Sequence, residues 1–301
     1  MKRGYLFIIA AAVLWGTTGT SQALAPEGAQ PLAIGALRLV VGGLALLAVF
    51  AVSQRKLPRL PGSRGALFPW LLAAACMAAY QVLFFGGVKL TGVAVGTITG
   101  IGSSPVFAGL LGFFFRGEKP GWKWGGATLL AVIGCGLLAT TGGEVHVDPL
   151  GILLAIGAGA SYATFSLISK GLLDEQPAEL VMAVVFCLGA LMLSPLLLTQ
   201  DLHWLAQPRG MLVILHLGLF ATALAYIFFG KGLKLVPLAT AVTLTLAEPL
   251  TAATLGLLLL GEQLSLQAAA GILLIFGGLV VLAVKTRRSN PAVKPGDQSR
   301  R

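Results

Sequence analysis

The sequence predicts an all-α polytopic membrane protein, with ten transmembrane helices built as two inverted five-helix repeats. Three observations predict it. Of 301 residues, 56% are hydrophobic and only 11% are charged, with a mean hydropathy of +0.89, against roughly 25% charged in soluble domains. The apolar residues gather into ten segments, each close to the about 20 residues that a helix needs to cross a bilayer. The second half of the chain also repeats the first. Such a composition leaves too little polar surface to solvate a globule, which excludes an ordinary soluble enzyme, a nucleic-acid binder and a disordered chain.

The first segment, Tyr5–Leu24, lies between Lys2-Arg3 and Ala23-Leu24-Ala25, a pattern shared with cleaved signal peptides. Its early interruption by Thr17-Thr18-Gly19-Thr20-Ser21, and a partner for it later in the chain, argue for retention. Leu32–Val52 follows the breaker Pro26-Glu27-Gly28, and Ala66–Val88 follows Pro58…Pro61-Gly62. Val93–Phe115 comes next, then Trp124–Thr140 after Gly117…Pro120-Gly121. Gly142-Gly143 separates these five from Leu150–Lys170, Ala178–Leu198, Gly210–Gly230, Pro237–Leu260 and Leu266–Val284. The connections are too short for a soluble domain. The stretch 285–301 is polar and basic, carries Pro291, Pro295 and Gly296, and is expected to be disordered.

Net charge is +10, and its placement orients the chain. With a cytoplasmic amino terminus and ten spans, eighteen Lys and Arg residues fall on the inner side and two, Lys89 and Arg209, on the outer side; Arg38 lies within a span. That bias is the positive-inside pattern. It places both termini in the cytoplasm and leaves no surplus that calls for a nucleic-acid partner. Cys76, Cys135 and Cys187 all lie in apolar runs and read as packing residues. No metal cluster, cofactor motif or ATP-binding loop is apparent.

The repeat is legible residue by residue. At a shift of 144, Phe84-Phe85-Gly86 falls on Phe228-Phe229-Gly230, Thr99 on Thr243, Pro105 on Pro249, Ala108 on Ala252, Leu111-Gly112 on Leu255-Gly256, and Gly117-Glu118 on Gly261-Glu262. The same register continues through Leu129-Leu130, Gly134 and Leu138-Ala139. At a shift of 147, Gly4, Trp15 and Thr17 fall on Gly151, Tyr162 and Thr164. Five spans are an odd number, so the second copy enters the membrane upside down. Inverted repeats of this kind place a substrate site near the bilayer midplane, between halves that rock to open it to each side in turn.

Leu14-Trp15-Gly16, Ser104-Pro105…Gly117-Glu118 and Glu248-Pro249…Gly261-Glu262 together resemble the duplicated EamA domain of the drug/metabolite transporter superfamily, over residues 5–141 and 150–284. The resemblance implies a bacterial inner-membrane carrier that exports amino acids or related metabolites, not an enzyme.

Glu248 is the acidic residue set well inside a span, roughly 17 Å from Pro237 at 1.5 Å per residue. A short carboxylate there must face protein or a wet cavity. It either carries a coupling proton or binds a substrate amine, or it is structural and satisfies groups freed by Pro249. Arg38 sits at a similar depth. It either holds a substrate carboxylate, pairs with Glu248, or snorkels to the outer headgroups. Pro105 and Pro249 interrupt equivalent spans, as paired helix breaks at a transport site do or as simple kinks do. Trp15, Thr17, Tyr80, Gln81, Tyr162 and Tyr226 join them as candidate substrate-binding residues, with helix packing as the alternative for each. Trp70, Trp122, Trp124 and Trp204 near span ends read as interface anchors, and His216 near an outer end reads as interfacial or as a proton relay.

The expected partners are therefore lipid, a small-molecule substrate and a proton as the candidate coupling ion, for a chain acting as a monomer or a homodimer. Two carrier readings stand open, one for amino acids and an alternative for anionic metabolites such as carboxylates or phosphorylated compounds. An intramembrane enzyme would need facing aspartates, a His-x-x-x-His pair or a Ser/His dyad in the spans, and the sequence shows none of these.

Overall fold

A computed structural model describes residues 2–54, 64–139, 148–259 and 265–283, and the regular structure among them is helical throughout. In chain order the helices are α1 (Lys2–Ala23), α2 (Pro31–Gln54), α3 (Ala66–Gly92), α4 (Val95–Arg116), α5 (Trp122–Ala139), α6 (Pro149–Glu175), α7 (Ala178–Leu197), α8 (Pro208–Leu235), α9 (Leu238–Leu259) and α10 (Leu266–Ala283). Eight are long and apolar enough to cross a membrane, while α5 and α10 are shorter apolar helices. This is a multi-pass membrane protein. The expected disordered tail 285–301 lies outside the described residues, as do Gly142-Gly143 and Gly261-Glu262.

The helix ends follow from local chemistry. Gly28 closes the α1–α2 turn at φ 86°, and Gly117 ends α4 at φ 63°, a left-handed region that side chains with a Cβ rarely enter. Helix α3 runs into α4 with a break at Gly92, φ 80° and ψ 163°. Prolines open α2, α6 and α8 at their first positions, where no amide hydrogen is needed. The Asp148 side chain caps α6 by accepting from the Gly151 amide at 2.9 Å.

Two helices are irregular. Helix α8 contains a π-helical turn over Leu219–Leu224. Helix α9 is interrupted at Thr245-Leu246, so that a new segment starts at Ala247. There the Glu248 amide bonds to the Thr245 carbonyl at 2.9 Å, three residues back rather than four.

Close backbone packing pairs helices of the first half with helices of the second. A Cβ added to Gly134 of α5 would lie 2.6 Å from the Gly271 carbonyl oxygen of α10, and one added to Gly278 would lie 2.6 Å from that of Ala127. Likewise Gly42 of α2 faces the Gly218 carbonyl of α8, and Gly189 of α7 faces that of Ala74 of α3. Under the shifts of 144 and 147, each of these contacts is the other with its partners exchanged. Helix starts keep the same shifts: Pro31 and Ala178 differ by 147, while Trp122 and Leu266 differ by 144.

Lys2, Arg116, Glu118, Lys170, Lys231 and Val236 share one end of the bundle, called here the basic end. Contacts of Gly4 with Gly232, Arg116 with Asp174, and Glu118 with Leu238 bring it together. Of the tryptophans expected at interfaces, only Trp122 is exposed, at 85%; Trp204 and Trp70 are buried, at 3% and 4%. Trp124 is half-buried and donates to the Thr243 hydroxyl at 2.9 Å. A position near a span end does not specify which neighbour fills the space around a large ring. Lys170, the last residue of its expected segment, lies inside α6, which runs on to Glu175, and donates to the carbonyls of Leu233 and Val236, each at 2.6 Å.

Candidate functional site

Helices α1, α3, α6 and α8 each place one predicted aromatic residue in a single cluster. The Trp15 ring lies 4.8 Å from Tyr226, between centroids, and 6.4 Å from Tyr162, edge-on. Tyr80 lies 5.6 Å from Tyr162. Phe165, Phe186 and Phe229 pack behind them. Trp15 and Tyr162 match at the shift of 147, and both supply a ring to the same place.

Helix α9 brings Glu248 to this cluster. Its carboxyl group lies within electrostatic reach of the phenols of Tyr80, Tyr162 and Tyr226 and of the Arg38 guanidinium from α2. The break at Thr245-Leu246 puts Glu248 in the first turn of the segment Ala247–Leu259. The helix dipole favours negative charge at that position. The bare face of Gly16 lets α1 approach, since a Cβ there would lie 2.8 Å from the Glu248 carbonyl oxygen. Glu248 itself is half-buried.

Opposite charges are thus neighbours without being a contact pair. The ion pairs within 4.0 Å among the described residues are Arg116–Asp174 and Lys231–Glu179. Arg38 is buried, and its Nε has no hydrogen-bond partner; the Trp15 Nε1 and the Tyr162 hydroxyl are also buried without one. An unpaired buried donor costs about 1–3 kcal/mol. All three belong to the residues gathered here, which leaves the site short of acceptors.

The remaining predicted residues divide. Gln81 is buried, but its carboxamide sits at the α2–α3 contact: its oxygen would be 3.2 Å from a Cβ on Gly35, and its nitrogen lies 3.9 Å from the Met77 sulfur. Thr17 donates to the Leu14 carbonyl at 2.7 Å and contacts His216 Nε2 at 2.8 Å. With its own proton committed, the Thr17 hydroxyl accepts from His216, which fixes the Nε2–H tautomer. His216 also stacks on Phe220, centroids 5.6 Å apart. Sequence reasoning set His216 apart from Thr17; the two are 199 residues apart, and no local pattern links them.

Pro105 and Pro249 are not structural equivalents. Helix α4 runs unbroken through Pro105, whereas α9 is interrupted one turn before Pro249. Ser104, the repeat mate of Glu248, bonds to the Gly100 carbonyl of its own helix at 2.9 Å.

Comparison with known proteins matches residues 2–140 and 149–284 to the model of the EamA-like transporter family. The chain is 48% identical over 287 residues to the uncharacterized transporter YwfM of Bacillus subtilis (strain 168), covering 95% of this chain and 96% of that one. It is 30% identical over 270 residues to the threonine/homoserine exporter RhtA of Escherichia coli (strain K12), covering 86% and 84%. A solved crystal structure shares the fold with a TM-score of 0.81 at 22% identity, over 93% of this chain and 98% of its own.

Proposed function

Because this chain belongs to the EamA-like transporter family, as its resemblance to the drug/metabolite transporter superfamily implied, we propose that it is a secondary active exporter of amino acids across the bacterial inner membrane. The observation that carries this reading is the arrangement of Glu248 and Arg38. A carboxylate and a guanidinium face one region lined by Trp15, Tyr80, Tyr162 and Tyr226 without closing on each other. A zwitterion completes that arrangement, with its ammonium on Glu248 and its carboxylate on the Arg38 fork. The Trp15 and Tyr162 donors that lack partners would bind its remaining acceptors. The exporter RhtA, at 30% identity, supports a small hydroxylated amino acid.

The mechanism is alternating access between two inverted halves, residues 5–141 and 150–284, with α5 and α10 counted as spans. The exchanged glycine contacts and the conserved shifts of the helix boundaries support that symmetry. The basic end is the cytoplasmic one, by the positive-inside bias, so both termini lie inside. Glu248 carries the coupling proton: it is protonated when exposed to one side and gives the proton up when substrate ammonium or the other side displaces it. Export then runs against proton entry.

The test uses purified protein in proteoliposomes with labelled threonine, homoserine and simple carboxylates, with and without a pH gradient. Threonine transport driven by the gradient is the expected outcome. In the Glu248→Gln variant it should fall by about two orders of magnitude, the cost of one buried charged contact, with the pH dependence abolished. Equal transport by that variant at every pH overturns the assignment. The anionic-metabolite reading rests on Arg38 alone; inhibition by carboxylates but not by amines favours it.

A further inference from the structure

The Gly117-Glu118 motif lies away from the substrate site, at the basic end. Gly117 turns the chain at φ 63°, and the Glu118 amide bonds back to the Gly112 carbonyl at 3.0 Å. This aims the carboxylate at the other half of the molecule. Its Oε1 accepts from the Leu238 amide at 2.8 Å and its Oε2 from the Ala239 amide at 3.4 Å, the first two amides of α9. On the other side of the Val236-Pro237 connection, Lys170 holds the last carbonyls of α8. One two-residue junction is thus gripped by an anion at the helix start and a cation at the helix end, each matching the local dipole.

The two grips differ in one respect. Lys170 and α8 belong to the same half. Glu118 and α9 belong to different halves, as do the partners of the Arg116–Asp174 pair at 2.9 Å. Between the junction and Glu248 lies a layer in which Ile8, Phe165, Phe229, Leu233, Leu238 and Val242 are each 0% exposed. On the far side of Glu248, Thr17 and Thr18 are half-buried and Gly19 is exposed. The molecule is sealed toward its basic end.

We propose that Glu118 is the latch that holds the carrier closed to the cytoplasm, gripping α9 of the opposite half, and that inward opening requires it to let go. This rests on the alternating-access reading above. When the halves rock, the Lys170 contacts travel intact within one half, while the Glu118 and Arg116 contacts must break. Glu118 is a positioning residue: it touches no substrate and acts through the placement of α9.

The experiment reads conformation directly. In the full chain with its three cysteines replaced by alanine, a reporter cysteine is introduced as Ala12→Cys, at a position 0% exposed one turn beyond Ile8 in α1, or as Gly19→Cys on the far side. The protein is reconstituted in vesicles, and a membrane-impermeant maleimide is applied to either face. Adding Glu118→Gln should speed modification of the Ala12→Cys protein from the cytoplasmic face by about tenfold, as expected for loss of one charge-assisted hydrogen bond. It should slow modification of the Gly19→Cys protein from the outer face. Glu118→Asp should restore the parent rates in part, and Lys170→Met should lower the melting temperature without favouring either face.

A Glu118→Gln protein that elutes and melts like the parent yet labels at the parent rate overturns the proposal. If that variant does not fold, Asp174→Asn is read instead: a smaller rise from the cytoplasmic face is expected, and no rise overturns the proposal. Labelling needs no substrate. A protein that switches faces but moves no amino acid would refute the substrate reading and leave the latch; one that exports threonine but labels unchanged would refute the latch alone.

Discussion

The Tyr162 hydroxyl, the Trp15 Nε1 and the Arg38 Nε are buried without partners at the candidate site. In a purely structural cluster each would lower stability with nothing in return. Tyr162→Phe removes one such orphan while keeping the ring contacts at 5.6 and 6.4 Å. It should leave the melting temperature unchanged or raise stability by about 1 kcal/mol, while weakening substrate affinity about tenfold in transport or binding assays. A structural hydroxyl would give the reverse: lower stability and unchanged affinity. The aromatic and charged members of this cluster were legible because lipid tolerates such groups poorly, so their presence in apolar spans is itself informative. The Thr17–His216 contact was not legible, since neither residue carries a local mark of the other. Nor was the placement of Gln81 against Gly35, because burial in a span does not say which neighbour a side chain meets.

At the scale of elements, the helices were read to within about five residues because apolar length and turn chemistry decide them. The irregularities were not. The π turn at Leu219–Leu224 carries no proline or glycine to announce it, and the interruption of α9 lies upstream of Pro249, where the lost amide leaves the Thr245 carbonyl to bond at a spacing of three. Pro249→Ala supplies the missing donor. The helix should then run continuously through Thr245, Glu248 should leave the first turn of its segment, and stability should rise by about 1 kcal/mol or more. Transport should fall at least about tenfold as Glu248 loses its place at the start of a helical segment. Thermal melting and vesicle uptake, measured on the same preparation, check both halves of this expectation. Pro105→Ala, in a helix that is already continuous, should leave transport near the parent rate.

For the whole molecule, the sequence offers the ordered matches of Phe-Phe-Gly, Pro and Gly-Glu, and the glycine contacts add what a linear string cannot show, namely which of the matched positions touch. Gly134→Ala and Gly278→Ala sit at mated positions, each 2.6 Å from a carbonyl oxygen. Both should destabilise by similar amounts, about 1–3 kcal/mol, in denaturant or thermal unfolding, and neither should change the pH dependence of transport.

A self-matching seam of this sort means that the covalent link between residues 139 and 148 is a convenience of assembly more than a source of affinity. Severed there and produced as separate polypeptides in the same cell, the N-terminal and C-terminal pieces should recognise each other in the bilayer, co-purify in equal amounts and recover export, whereas neither piece alone should.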